Sequence, residues 1–176
     1  MKYFLYFDRT LFDTPACYTE LTQVFGEDFE FVPEVWDKVS VCDYLYADVL
    51  PWVDGKAKDD VYVVTAFTPS YGEASEAYQR SKLLCSQLTD KVREVVVMQG
   101  LKGELVAEIA SQFPPTEPIA FVDDRIEQCL SVQKHAPQVT CCLMVRDQAV
   151  IGDVESVQGI RVVHCLQDVD DVINNL

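Results

Sequence analysis

The sequence predicts an α/β protein, a doubly wound, three-layer parallel sheet carrying a small helical insert. Three observations lead there. Short, almost wholly apolar runs recur, such as Val61–Val64 and Ile119–Val122. Strands apolar on both faces belong to parallel sheets that are covered on both sides. Between these runs lie segments with apolar residues at three- and four-residue steps, the spacing of a helix. The two kinds alternate through most of the chain, and right-handed crossovers then wind one sheet. With 176 residues, 49% of them apolar, the chain can bury a sizeable core.

The elements follow in order. Lys2–Phe7 is an apolar, aromatic run that suits a buried strand. Thr14 is placed to cap a helix, with Pro15 at its first position and Gly26 just past its end; Cys17, Leu21 and Val24 keep helical spacing. A second helix is expected after Pro33, because Trp36, Val39, Cys42, Leu45 or Tyr46, and Val49 recur at helical steps until Pro51. Trp52–Gly55 then reads as a turn. From Val61 the alternation is regular. Strands are expected at Val61–Val64, Glu94–Met98, Pro118–Val122, Val139–Met144 and Arg161–His164. Helices are expected at Glu73–Leu88, Lys102–Phe113, Ile126–His135 and Leu166–Ile173. In Glu73–Leu88 the face carrying Ala74, Tyr78, Ser81, Cys85 and Leu88 is expected to pack inward. The core domain is thus residues 1–14 and 59–176, and residues 15–58 form the helical cap insert.

Composition narrows the function. A net charge of −15 repels nucleic-acid backbones and anionic membranes, so nucleic acid is not an expected partner. No run approaches 18 consecutive apolar residues, so no membrane span is expected. The N-terminal run is too short for a signal sequence and lacks a small-residue cleavage site. Seven scattered cysteines without Cys-x-x-Cys spacing suggest reduced thiols and a cytoplasmic location. His135 and His164 have no zinc-ligand spacing to a cysteine pair.

In open parallel sheets, ligands bind beyond the carboxyl ends of the strands, where strand order reverses. Four groups of residues fall at such ends: Tyr6 and Asp8; Thr65; Lys102; and Asp123 with Asp124. In order along the chain they are an Asp-containing loop, a hydroxyl, a lysine and an acidic pair. The first continues as Tyr6-Phe7-Asp8-Arg9-Thr10-Leu11-Phe12-Asp13-Thr14, and the last reads Phe121-Val122-Asp123-Asp124-Arg125 before a helix. This set resembles the four motifs of the haloacid dehalogenase (HAD) superfamily over about residues 2 to 145. The first motif of that family is Asp-x-Asp-x-Thr-Leu-x-Asp-Thr. Without gaps, every matched position agrees except the first, where Tyr6 stands in place of the nucleophilic Asp.

The resemblance implies a phosphatase-like hydrolase of small phosphate esters, working through a magnesium-dependent aspartyl-phosphate. It gives Asp8 the part of general acid/base, Thr65 that of phosphate ligand, and Lys102 that of charge balance at the phosphate. It gives Asp124 the part of main metal ligand, supported by Asp123 and the Asp8 position. The ordinary roles of these residues are a loop or cap aspartate, a strand-end hydroxyl, a solvated first-turn lysine and helix N-terminal carboxylates.

Tyr6 is the departure. A phenol is a weak nucleophile and a poor magnesium ligand near neutral pH. Tyrosine can act as a covalent nucleophile, but no base is evident beside it. Its ring also reaches into the space a phosphate needs, and the loss of one carboxylate beside it is expected to leave magnesium binding weakened or absent. A shifted register makes Asp8 the nucleophile with Thr10 two places on, but it loses the Thr-Leu-x-Asp-Thr agreement; the ungapped register is preferred. The expected partner is a small phosphorylated metabolite. The alternative is a catalytically degenerate HAD-fold protein that binds a ligand or a protein partner. Trp36, Tyr44, Tyr46 and Trp52 of the insert are candidates to line the site or to pack between helices.

Overall fold

A computed structural model describes residues 1–147 and 156–175. Its centre is a seven-stranded sheet with strands β1 (Lys2–Leu5), β2 (Val61–Ala66), β3 (Glu94–Met98), β4 (Ile119–Asp123), β5 (Thr140–Met144), β6 (Ser156–Val157) and β7 (Ile160–Val163). The order across the sheet is β3-β2-β1-β4-β5-β7-β6. All neighbours run parallel except β6, a two-residue strand antiparallel to β7 at the edge. The doubly wound architecture is as expected, and the order reverses between β1 and β4.

Side chains alternate along the strands into two cores. Phe4, Tyr62, Val64 and Phe121 meet helices α4 (Gly103–Ala110) and α5 (Ile126–His135) on one face. Tyr3, Leu5, Val61 and Val63 meet α3 (Ser75–Cys85), α6 (Leu166–Asn174) and the insert on the other. Cys17 and Leu21 of α1 (Thr14–Phe25) and Trp52 and Val53 of α2 (Val49–Asp54) belong to that second cluster. The apolar side chains of 15–58 therefore share a core with the sheet. Asp170 of α6 fastens the two together, accepting hydrogen bonds from Tyr3 Oη at 2.6 Å and Trp52 Nε1 at 2.9 Å and pairing with Lys56.

The second expected helix does not form as one. Pro33–Asp37 and Val41–Tyr44 are separate 3-10 turns, and Pro51 lies in the first turn of α2 rather than at a helix end. A first-turn proline is tolerated because its missing N–H has no helical partner there. The interruption has a backbone cause. Tyr46 N donates to Leu11 O at 3.0 Å, Asp13 N donates to Tyr44 O at 2.7 Å, and Leu45 bridges Phe12 antiparallel. Backbone groups used across to the loop after β1 cannot also serve a helix.

Two smaller differences bear on the site. β1 ends at Leu5 rather than Phe7. Asp13, not Thr14, caps α1, accepting from Ala16 N at 3.0 Å. That leaves the Thr14 hydroxyl free to face inward. All seven cysteines are free thiols. Among the described residues no helix is long and apolar enough to cross a membrane.

Candidate functional site

The site is built on the reversal of strand order. Tyr6 follows β1 directly, and its N–H continues the strand pairing by donating to Val122 O at 2.9 Å. The chain then folds back sharply. Phe7 O accepts from Leu11 N at 2.8 Å and Phe12 N at 3.0 Å, and Arg9 adopts the left-handed conformation with φ 59°. A non-glycine residue there carries strain of about 1 kcal/mol. This turn presents Asp8 to one side of the sheet's end and Tyr6 to the other.

On Tyr6's side lies Lys102. It precedes the first turn of α4, yet it is 1% exposed. Its Nζ donates to Asp123 Oδ2 at 2.5 Å and sits 3.6 Å from the centre of the Tyr6 ring. Gly103 makes this depth possible. A Cβ there would clash with the backbone oxygen of Ser131 in α5, so only glycine lets α4 approach α5 so closely. Gln128 Oε1 of α5 accepts from Lys102 N at 3.0 Å and fixes the turn. Burial pulls the lysine pKa down and the Asp123 pKa up, each opposed by its partner. The pair carries no net charge wherever the shared proton resides.

On Asp8's side stands a residue that sequence reasoning missed. Lys82 Nζ of α3 pairs with Asp8 Oδ1 at 2.5 Å, and its side chain is 4% exposed. Thr14 Oγ1 donates to Asp8 Oδ1 at 3.0 Å, and Gln79 Nε2 donates to Asp8 Oδ2 at 2.8 Å. Gln79 Nε2 also lies 2.9 Å from the buried Thr65 Oγ1 in β2. Burial would raise the Asp8 pKa, but Lys82, Gln79 and Thr14 together outweigh it and hold the carboxyl below its ordinary value. Asp8 is thus fixed as a carboxylate with its hydrogen-bonding capacity largely used.

The inward face of α3 is only partly the expected one: Tyr78 and Leu88 do pack inward, but a polar stripe lies beside them. Ser75, Gln79, Lys82 and Ser86 are buried, whereas Cys85 is exposed. These four polar residues recur at steps of four, three and four. That spacing is a helical stripe, and it was the signal available in the sequence.

Asp124 follows β4 and faces the same cavity, with Oδ1 buried and without a hydrogen-bond partner. Burial and the neighbouring Asp123 raise its pKa to about 7, while Arg9 draws it down. The cavity holds about 310 Å³; Tyr6, Asp8, Arg9, Lys82, Asp124 and Arg125 supply its polar wall. Tyr18, Phe31, Phe67 and Tyr78 form much of the rest. Trp36, Tyr44, Tyr46 and Trp52 are not part of the wall. Trp36 packs on Tyr78 and donates to its carbonyl, Tyr44 meets Phe12, Tyr46 lies under Arg146, and Trp52 meets Tyr3 and Asp170. Thus Tyr6, Asp8, Thr65, Lys102, Asp123 and Asp124 do come together, joined by Thr14, Gln79, Lys82, Arg9 and Arg125.

This donor set suits a magnesium ion poorly. Magnesium takes hard oxygen donors, chiefly carboxylates. Asp8 and Asp123 already hold lysines, and Tyr6 offers a phenol whose pKa burial and three nearby carboxylates push further up. Only Asp124 keeps an unengaged carboxylate oxygen. No group of three His, Cys, Asp or Glu side chains disposed to hold a metal occurs among the described residues.

The sequence matches no protein-family model and no curated protein. Solved structures do resemble the fold. A putative haloacid dehalogenase-like hydrolase from Burkholderia xenovorans LB400 aligns at 13% identity and a TM-score of 0.63, covering 98% of this chain and 96% of its own. A haloacid dehalogenase-like family hydrolase from Xanthomonas campestris aligns at 14% identity and a TM-score of 0.58, covering 100% and 99%. The D,D-heptose 1,7-bisphosphate phosphatase from B. bronchiseptica, complexed with magnesium and phosphate, aligns at 13% identity and a TM-score of 0.61 with complete coverage of both chains. Full-length alignment of the sheet, its strand order and its helices places this chain in the HAD-like Rossmannoid fold.

Proposed function

We propose that this chain is a phosphatase-like HAD protein whose pocket takes a small phosphorylated metabolite but whose hydrolysis is impaired. One observation carries the reading: the Tyr6 ring lies on the Lys102 ammonium, 3.6 Å from its centre. The resemblance assigns that position to a nucleophilic carboxylate. An aromatic face attracts the lysine but cannot attack phosphorus. The Tyr6 phenol is half-buried and its pKa is raised, which disfavours it as a nucleophile as well. The fold neighbours support the phosphate-ester ligand class, as does the gathering of Asp8 and Asp124 on the cavity wall with Thr65, Lys102 and Asp123 buried close by. Residues 15–58, whose Tyr18 and Phe31 line that cavity, are read as its cap.

The test is phosphate release from a broad panel of phosphate esters, with and without magnesium. The expected result is no turnover at enzyme-like rates, together with saturable binding of at least one ester by calorimetry. Steady magnesium-dependent turnover that Asp8→Ala abolishes would overturn the impairment. The second reading, an active hydrolase in the shifted register with Asp8 as nucleophile, would then stand. It draws on the inward placement of Asp8 and loses ground because Lys82, Gln79 and Thr14 already engage that carboxylate.

A further inference from the structure

Lys82 has no counterpart among the residues that the motif resemblance explains. It comes from α3, is almost wholly buried, and its ammonium lies 5.1, 5.4 and 5.5 Å from the ring centres of Phe12, Phe7 and Tyr78. Its ammonium is committed to Asp8. A buried lysine costs several kcal/mol of desolvation unless a charge repays it, so its placement is specified by the fold rather than incidental.

Counting charge around the cavity shows what it does. Asp8 and Asp124 are the carboxylates on its wall, and Asp123 lies buried behind it. Lys82 neutralises Asp8, Lys102 forms a neutral pair with Asp123, and the Arg9 guanidinium acts on Asp124. A divalent-cation site needs surplus carboxylate charge. Here protein cations have already balanced it.

We propose that Lys82 is a tethered counter-ion that takes the place of a divalent cation, so that this pocket is balanced and pre-formed without magnesium. The inference rests on the reading that this cavity is the functional site. It adds that the chain departs from a metal-dependent centre at two places, Tyr6 and Lys82, and that reversing either alone leaves the site incomplete.

The experiment is titration with Mn²⁺, read by the loss of its free-ion electron paramagnetic resonance signal. Four proteins are compared: the wild type, Tyr6→Asp, Tyr6→Asp with Lys82→Gln, and Tyr6→Asp with Lys82→Arg. Glutamine keeps a hydrogen-bond donor for Asp8 while removing the charge; circular dichroism verifies that each variant is folded. The wild type is expected to take up no Mn²⁺ below millimolar concentration. Tyr6→Asp with Lys82→Gln is expected to bind at least about ten-fold more tightly than Tyr6→Asp alone, and the Lys82→Arg version no more tightly than Tyr6→Asp alone. Saturable uptake by the wild type overturns the proposal without any variant. Equal affinity of Tyr6→Asp and its Lys82→Gln derivative overturns it as well. Because binding is read without turnover, hydrolysis by the wild type would sink the functional reading and leave this one standing.

Discussion

Two buried lysines serve two carboxylates at the same end of the sheet, and the two pairs are built differently. Lys102 and Asp123 are both at most 1% exposed, with the Tyr6 ring closing one side. Lys82 is nearly as buried, but its partner Asp8 is 15% exposed and keeps hydrogen bonds from Gln79 and Thr14. The first pair is sealed, and it joins the loop before α4 to the end of β4. The second is open on the cavity and joins α3 to the turn after β1. The difference separates a pair that holds the fold from a pair that tunes a pocket.

Removing one partner from each pair tests that separation. Lys102→Met leaves Asp123 fully buried with the Arg125 N–H as its remaining donor and no ion-pair partner in contact, and a broken buried pair costs about 3–5 kcal/mol. Chemical denaturation is expected to show a loss in that range. Lys82→Met should cost less, about 1–3 kcal/mol, because Asp8 retains two donors and partial access to water. Equal losses would break the comparison. Tyr6→Leu removes the ring from Lys102 and is expected to cost about 1–2 kcal/mol, part packing and part cation–π attraction. Tyr6→Phe, which keeps the ring, should change stability little.

A carboxylate outside both pairs provides the smallest effect and a pH scale. Asp168 accepts from His164 N at 2.7 Å and Cys165 N at 3.1 Å and so caps α6. Burial would raise its pKa, but those bonds outweigh burial and hold it below its ordinary value of 3.8. A carboxyl depressed in the folded state contributes stability above its unfolded pKa and loses it as pH falls through the folded one. Asp168→Ala is therefore expected to cost about 1 kcal/mol near pH 7, and the gap from the wild type should close as pH falls below about 4. A gap that stays constant down to pH 2 would assign the loss to packing rather than to the cap.

The sealed pair was legible in the sequence and the open one was not. Lys102, Asp123, Asp124, Thr65 and Tyr6 lie at or just past the ends of apolar runs, and a parallel sheet aligns all such ends at one edge. Their meeting follows from topology alone. Gln79 and Lys82 lie mid-helix, where the rule that apolar faces pack inward selects Tyr78, Cys85 and Leu88 instead. That rule is right for Tyr78 and Leu88 but misses the polar stripe, because α3 also faces Asp8 and Thr65, which require polar partners once buried. The stretch 33–51 failed for another reason. Its apolar spacing does match a helix, and Val35, Trp36, Val39, Val41 and Val49 are indeed buried. The backbone of 44–46, however, is used by the loop after β1. Side-chain periodicity carries no record of that competition.

Arg146, just past β5, gives the site a history as well as a shape. Its guanidinium donates to Thr10 O at 2.9 and 2.7 Å, from Nε and Nη2, and pairs with Asp48 of the insert, whose other contact is Leu166 N at the start of α6. The turn that aims Tyr6 and Asp8 is therefore pinned by a residue that lies 136 positions later. On a ribosome, β1 through β4 can all emerge before that pin exists. Until the fifth strand has emerged, the turn that carries Asp8 lacks the two bonds from Arg146. A chain halted shortly before Arg146 would carry nearly every residue of the site without the bonds that pin the turn.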